Sequence, residues 1–167
     1  MEPRNATILR SIMRLTGLIF AIIVLGLIAE KVYAHDSEGN ITICYFNNKS
    51  SACDFGLACG GLSIIAAVIF TVTDCAARLQ IYSESSIRKG YDIAGSVMAG
   101  VLAILWLSSF GYMTNEWLDY INDETNVGTS SNPGLKSAGN ASLAFSFLSV
   151  PVWVVISVLD FRAFRSL

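Results

Sequence analysis

Cys44 and Cys53 have eight residues between them in "ICYFNNKSSACDFG". Two thiols at that spacing have two chemical options, a disulfide or two free sulfhydryls, and the redox character of the surrounding compartment decides between them. Other chemistry-bearing residues are sparse. The single histidine, His35, falls in the same polar stretch and reads as a solvated loop residue rather than a ligand or base. No HExxH, glycine-rich phosphate loop or Cys/His metal spacing occurs, so the sequence offers no catalytic residue, cofactor site or metal site. Asp74, Asp92 and Asp160 stand at the edges of apolar stretches, with Arg10, Arg14, Arg78 and Arg162 as available partners for Asp74 and Asp160. They read as surface ion pairs with snorkelling side chains, and Asp92 also suits a helix N-cap.

The elements that carry these residues are membrane segments. With 53% hydrophobic residues, 14% charged residues and a mean hydropathy of +0.56, the chain of 167 residues is too apolar for an ordinary soluble domain. A net charge of −2 and the lack of a basic run argue against a nucleic-acid partner. Four stretches contain no Asp, Glu, Lys or Arg: Leu15–Ala29, Phe55–Thr73, Ile93–Met113 and Ala141–Leu159. The last three reach roughly 28–32 Å as helices, the thickness of a bilayer's hydrocarbon. The first is shorter and spans only by extending into "SIM" before it or past Glu30 and Lys31 into "VYA". Arginines, a short apolar run and "VYA" also have the form of a cleavable signal peptide; a retained helix is the preferred reading. In lipid every backbone amide must be satisfied within the segment, so the expected fold is an all-α, four-helix transmembrane bundle. The expected helices are about 12–33, 55–73, 93–113 and 141–159, with outer loops about 34–54 and 114–140 and a cytosolic loop about 74–92.

Orientation follows from the basic residues. With a cytosolic N-terminus, Arg4, Arg10, Arg14, Arg78, Arg88, Lys89, Arg162 and Arg165 are cytosolic and only Lys31, Lys49 and Lys136 are outside. That asymmetry is the one the positive-inside rule requires, and it puts both termini in the cytosol. Cys44 and Cys53 then face an oxidising space, which favours the disulfide. Closing a loop of about ten residues would stabilise the fold by roughly 2–3 kcal/mol in the chain-entropy model. Cys59 reads as a small packing residue. Cys75, at the cytosolic end of the second helix, is a palmitoylation candidate, a free thiol being the plainer reading. Of the sequons on the outer side, those at Asn40 and Asn48 are the glycosylation candidates; Asn140 abuts the membrane.

Helices in lipid associate through small residues that permit close approach. The second helix offers Gly56 and Gly60, the third Ser96, Gly100, Ala103 and Gly111, and the fourth Ser142, Ser146 and Ser149. These faces are expected to build the bundle; a homo-oligomer is the alternative use. Pro151 should kink the fourth helix. Tyr112, Trp117 and Tyr120 suit an outer aromatic belt, and Thr114–Asn140 reads as a mobile loop.

Several long runs carry a family resemblance: "ILRSIMRLTGLIFAIIVLGLIAEKVY", "CYFNNKSSACDFG", "TVTD", "DIAGSVMAGVLAILWLSSFGYMTNEWL" and "ASLAFSFLSVPVWVVISVLDFRAF". From about Ile8 to Phe164 the chain resembles the synaptogyrins, synaptophysin-like proteins with the MARVEL four-helix fold. Synaptogyrins usually carry a tyrosine-containing tail after the fourth helix, and no tyrosine follows Leu159 here. The resemblance implies a non-enzymatic integral protein of synaptic or synaptic-like vesicles, acting in vesicle biogenesis, cargo sorting and regulated exocytosis. Its partners would be the lipid bilayer and other vesicle membrane proteins. The competing classes are a junctional or adhesion tetraspan and a small channel or transporter subunit, the latter disfavoured by the lack of mid-membrane charge.

Overall fold

The computed structural model describes residues 3–35, 42–44, 46, 50–78, 85–122 and 133–166. Four long helices dominate: α1 (Pro3–Leu27), α2 (Ser50–Arg78), α3 (Ser85–Asn122) and α4 (Pro133–Ser166). All four are long and apolar enough to cross a membrane. α1 and α4 both open on proline, whose fixed φ suits the first helical turn and whose missing N–H is not needed there. The first apolar stretch gains its length at both ends. It begins at Pro3 and continues through a π-helical turn, Ile28–Val32, that carries Glu30 and Lys31.

The helices extend further than charge-free runs suggested. α3 has 38 residues and α4 has 34, so they reach roughly 57 and 51 Å against about 30 Å of hydrocarbon. The stretch expected to be a loop from Thr114 to Asn140 is therefore helical at both ends, through Asn122 and again from Pro133. Packing explains the extension. Met113, Trp117 and Tyr120 recur at helical spacing and are buried, as are Leu135, Ala138 and Gly139 opposite them. Asp92 is correspondingly not an N-cap, because α3 starts two turns earlier at Ser85. α4 runs on through Pro151.

Around the bundle α1 packs against α2 and α4, and α3 packs against the same two. Small residues set the spacing at the α1–α2 contact. A Cβ added at Gly60 would lie 2.7 Å from Leu25, and one at Gly56 2.7 Å from Ile28 and 3.2 Å from Met113. Large side chains fill the interior: Trp106 from α3 and Trp153 from α4 are almost wholly inaccessible. Ile19, Ile65, Val97, Ile104 and Val154 face outwards, as the walls of a bundle in lipid should. Beyond the π turn, β1 (Tyr33–His35) and β2 (Thr42–Cys44) pair antiparallel, with Tyr33 opposite Cys44 and His35 opposite Thr42.

Candidate functional site: a charge clasp and a disulfide-tied cap

At one end of the bundle, five charged side chains from all four helices meet out of contact with solvent. α1 supplies Arg10 and Arg14, one helical turn apart and hence on one face. α2, α3 and α4 supply Asp74, Asp92 and Asp160 in turn. Asp160 sits at the centre. Arg14 Nη2 donates to both of its carboxylate oxygens at 3.0 and 2.9 Å, and Arg10 Nε lies 3.0 Å from its Oδ1. Arg14 Nη1 donates to Asp74 Oδ2 at 2.5 Å and to the Phe70 carbonyl at 2.8 Å. Arg10 Nη1 donates to Asp92 Oδ1 at 2.9 Å and lies 3.9 Å from Asp74 Oδ1.

Burial distinguishes this cluster from a surface network. Arg14 is 2% exposed and Asp160 0%, with the other three members at 7% or below. The sequence reading of surface pairs and snorkelling arginines is thus corrected for Arg10 and Arg14. On α1 both side chains point into the bundle, where three carboxylates offer them a better environment than headgroups would. Arg162, another basic residue of that reading, is exposed. The second layer is equally tight. The Arg14 guanidinium lies 5.2 Å over the Phe70 ring, Phe70 packs on Tyr91, and the Tyr91 hydroxyl meets Thr73. Gly95 leaves room for Asp160, since a Cβ there would sit 2.7 Å from Oδ2.

The bundle between the two ends holds its polar groups in short local bonds. Trp106 Nε1 donates to Ser63 Oγ at 2.8 Å across α2 and α3. Ser96 Oγ donates to the Ser157 carbonyl at 3.0 Å and Ser157 Oγ to the Ser96 carbonyl at 2.8 Å, a reciprocal pair across α3 and α4. Ser142, Ser146 and Ser149 are buried and donate to carbonyls of their own helix, Gly139, Ser142 and Phe145. Ala103 is also buried and Gly100 is partly so, 3.6 Å (from an added Cβ) from Ser157. Gly111 is a correction to the expected packing face: it is exposed, with open space where a Cβ would stand.

The opposite end is closed by a cap. Cys44 at the end of β2 is bonded to Cys53 in the first turn of α2, with a Cα–Cα distance of 6.1 Å. The bridge ties the hairpin to the bundle and presses Phe46 into it, edge-on to Trp117 at 5.5 Å between centroids. Trp117 stacks on Tyr120, and its Nε1 donates to Asn140 Oδ1 at 3.0 Å. Gly139 passes so close to the Trp117 ring that any side chain there would collide. Trp117 and Tyr120 are thus core residues of the cap, not members of a lipid-facing belt.

The four helices, long and apolar enough to cross a membrane, with buried charges at one end and a bridged loop at the other, are joined by a family match. Residues 7–159 match the family model for the MARVEL membrane-associating domain. The chain belongs to the MARVEL family. Within it, the chain is similar to synaptogyrin-2 of Bos taurus, 27% identical over 159 residues that make up 93% of this chain and 65% of the relative. Synaptogyrin-2 of Homo sapiens is 29% identical over 92% of this chain and 64% of its own length. Synaptogyrin-4 of Mus musculus is 26% identical over 93% and 63%. The chain spans just under two-thirds of the length of these curated relatives.

Of the modification candidates, Cys75 is exposed and its thiol is free, whereas Cys59 is buried with its Sγ 3.8 Å from the Leu105 carbonyl. Asn40 and Asn48 lie outside the described residues. The clasp was missed by sequence reasoning as a buried site. Its signal was present in the i, i+4 spacing of Arg10 and Arg14 next to one aspartate at the same end of each other apolar stretch.

Proposed function

We propose that this MARVEL protein is a non-enzymatic, synaptogyrin-type component of vesicle membranes that supports vesicle biogenesis, cargo sorting and regulated exocytosis. The observation that carries this reading is the similarity to synaptogyrins along nearly the whole chain, joined to a bundle whose outer walls carry exposed isoleucine, leucine and valine from all four helices. In this reading the clasp end, with Arg162 and Arg165, lies in the cytosol and the disulfide cap in the vesicle lumen. The charge asymmetry of the sequence and the stability of a disulfide in an oxidising compartment support that orientation. Work is done by lateral association in the bilayer with other vesicle membrane proteins or further copies of the chain. The interior argues against a pore through one bundle, because Trp106 and Trp153 occupy its centre.

Localisation tests the proposal. Fluorescently tagged protein should concentrate on small vesicles and co-purify with vesicle markers. Even distribution over plasma membrane and reticulum refutes it, and enrichment at cell contacts favours a junctional tetraspan instead.

A further inference from the structure

Three of the four helices present lipid with an unbroken apolar wall. Within Leu15–Ala29, Phe55–Thr73 and Ala141–Leu159 every exposed residue is apolar. Within Ile93–Met113 one exposed residue is polar, Ser108, and it has no hydrogen-bond partner among the described residues. Ser108 belongs to a longer stripe. Along the outer face of α3 the exposed residues Val97, Val101, Ile104, Ser108, Gly111, Asn115 and Leu118 recur at alternating steps of four and three. That is the spacing of a coiled-coil seam, with Val101, Ser108 and Asn115 at a positions and Val97, Ile104, Gly111 and Leu118 at d. Any helix with one buried face exposes such a stripe, so composition must decide what covers it. From Ser108 onwards the stripe stops resembling a lipid wall. Gly111 has open space where a Cβ would stand, which admits another backbone. Asn115 has no side-chain partner among the described residues. Leu118 is 53% exposed, yet it stands level with polar surface: Trp117 beside it is bonded to Asn140, and Asn140, Ser137 and Lys136 of α4 are all exposed. Acyl chains cover Val97, Val101 and Ile104 but do not reach Leu118.

We propose that this seam docks a second copy of the chain, α3 against α3 and parallel. Membrane insertion gives every copy the same orientation, so a two-fold axis along the membrane normal sets each seam position opposite itself. The polar residues of the seam suit that symmetry. A hydroxyl and a carboxamide each donate and accept, so Ser108 bonds Ser108 and Asn115 bonds Asn115, while Gly111 facing Gly111 lets the helices approach. A carboxamide at an a position is also the device that fixes register and a two-stranded state in parallel coiled coils. An unrelated membrane protein would have to match polar groups at two separate depths; a second copy matches them by symmetry. The dimer deepens the lateral association of the vesicle reading and rests on it, but it is measured in pure lipid, so its failure leaves the vesicle assignment standing.

The test uses the full chain, in a Cys75→Ser background, reconstituted into phosphatidylcholine vesicles. Leu118→Cys and Asp119→Cys each place an exposed thiol on α3, the first on the seam and the second beside it. Oxidation with copper phenanthroline should link Leu118→Cys into a dimer on non-reducing gels and leave Asp119→Cys monomeric. Donor and acceptor fluorophores on Arg165→Cys report association by energy transfer as the protein is diluted with lipid. Gly111→Leu fills the seam and should raise the protein-to-lipid ratio at half association by about tenfold. Gly26→Leu makes the same change on the exposed wall of α1, where an added Cβ also meets open space, and should leave that ratio unchanged. Energy transfer no higher than random encounter overturns the proposal, as do equal cross-linking of the two thiols or equal effects of the two leucines. A Leu118→Cys cross-link to a different protein in native vesicles, with no dimer in pure lipid, gives the seam to another partner and overturns it too. Cross-linking and energy transfer without the leucine variants decide on their own, so a variant that fails to fold does not rescue the dimer.

Discussion

Replacing Arg14 by methionine is the sharpest perturbation of the bundle, because the side chain's volume is nearly kept while its charge is removed. Arg14 holds Asp160 through two hydrogen bonds, Asp74 through one and the Phe70 carbonyl through another. Without it, the cationic partners left among the described residues are Arg10 at 3.9 Å for Asp74 and Arg10 Nε at 3.0 Å for Asp160. Removing one partner of a buried ion pair typically costs about 3–5 kcal/mol, because the remaining charge is stranded. For a chain of this size each kcal/mol shifts Tm by roughly 2–4 °C, so Arg14→Met should lower Tm by roughly 6–20 °C. Arg162→Met, at an exposed position, should stay within about 0.5 kcal/mol of the parent. Thermal unfolding of the detergent-solubilised full chain, followed by tryptophan fluorescence, measures both. Equal melting of the two variants would show that Arg14 reaches water and that the clasp is not a buried site.

Other consequences follow from particular contacts. Gly60→Ala sets a methyl group 2.7 Å from Leu25 and should lower stability by about 1–3 kcal/mol, while Gly61→Ala, with open space around it, should be neutral or stabilising by thermal melting. Trp106→Phe strands the Ser63 hydroxyl, whereas Trp153→Phe removes an N–H that has no partner among the described residues. The first should cost about 1 kcal/mol more than the second in the same assay. Cys53→Ser opens the bridge to Cys44 and should cost roughly 2–3 kcal/mol, matched by reductant treatment of the parent chain and visible as a mobility change on non-reducing gels.

The membrane bundle was legible because lipid imposes a single backbone solution on long apolar runs. Helix ends were not, because the sequence was divided by charge, and charge stops marking helix ends once neighbouring helices bury charged residues. Asp92 and Glu116 both lie within α3 and are buried. The spacing of Met113, Trp117 and Tyr120 carried the missing information, since a 3.6-residue repeat continues past the last uncharged position. The hairpin escaped notice because three-residue strands are too short to show alternation. Cys44 and Cys53 were legible as a pair because topology set their compartment. Arg10 and Arg14 were not legible as a buried pair: a basic residue beside an apolar run ordinarily snorkels, and only the convergence of Asp74, Asp92 and Asp160 from the other helices makes the interior preferable.

The account rests on the clasp and the cap lying on opposite faces of the membrane, the clasp towards the cytosol. Sealed microsomes carrying Arg165→Cys or Asp119→Cys, each in a Cys75→Ser background, test this directly with a membrane-impermeant maleimide, both positions being exposed. Arg165→Cys should react in intact vesicles and Asp119→Cys only after detergent. Labelling of Asp119→Cys in intact microsomes, or protection of Arg165→Cys, would contradict it.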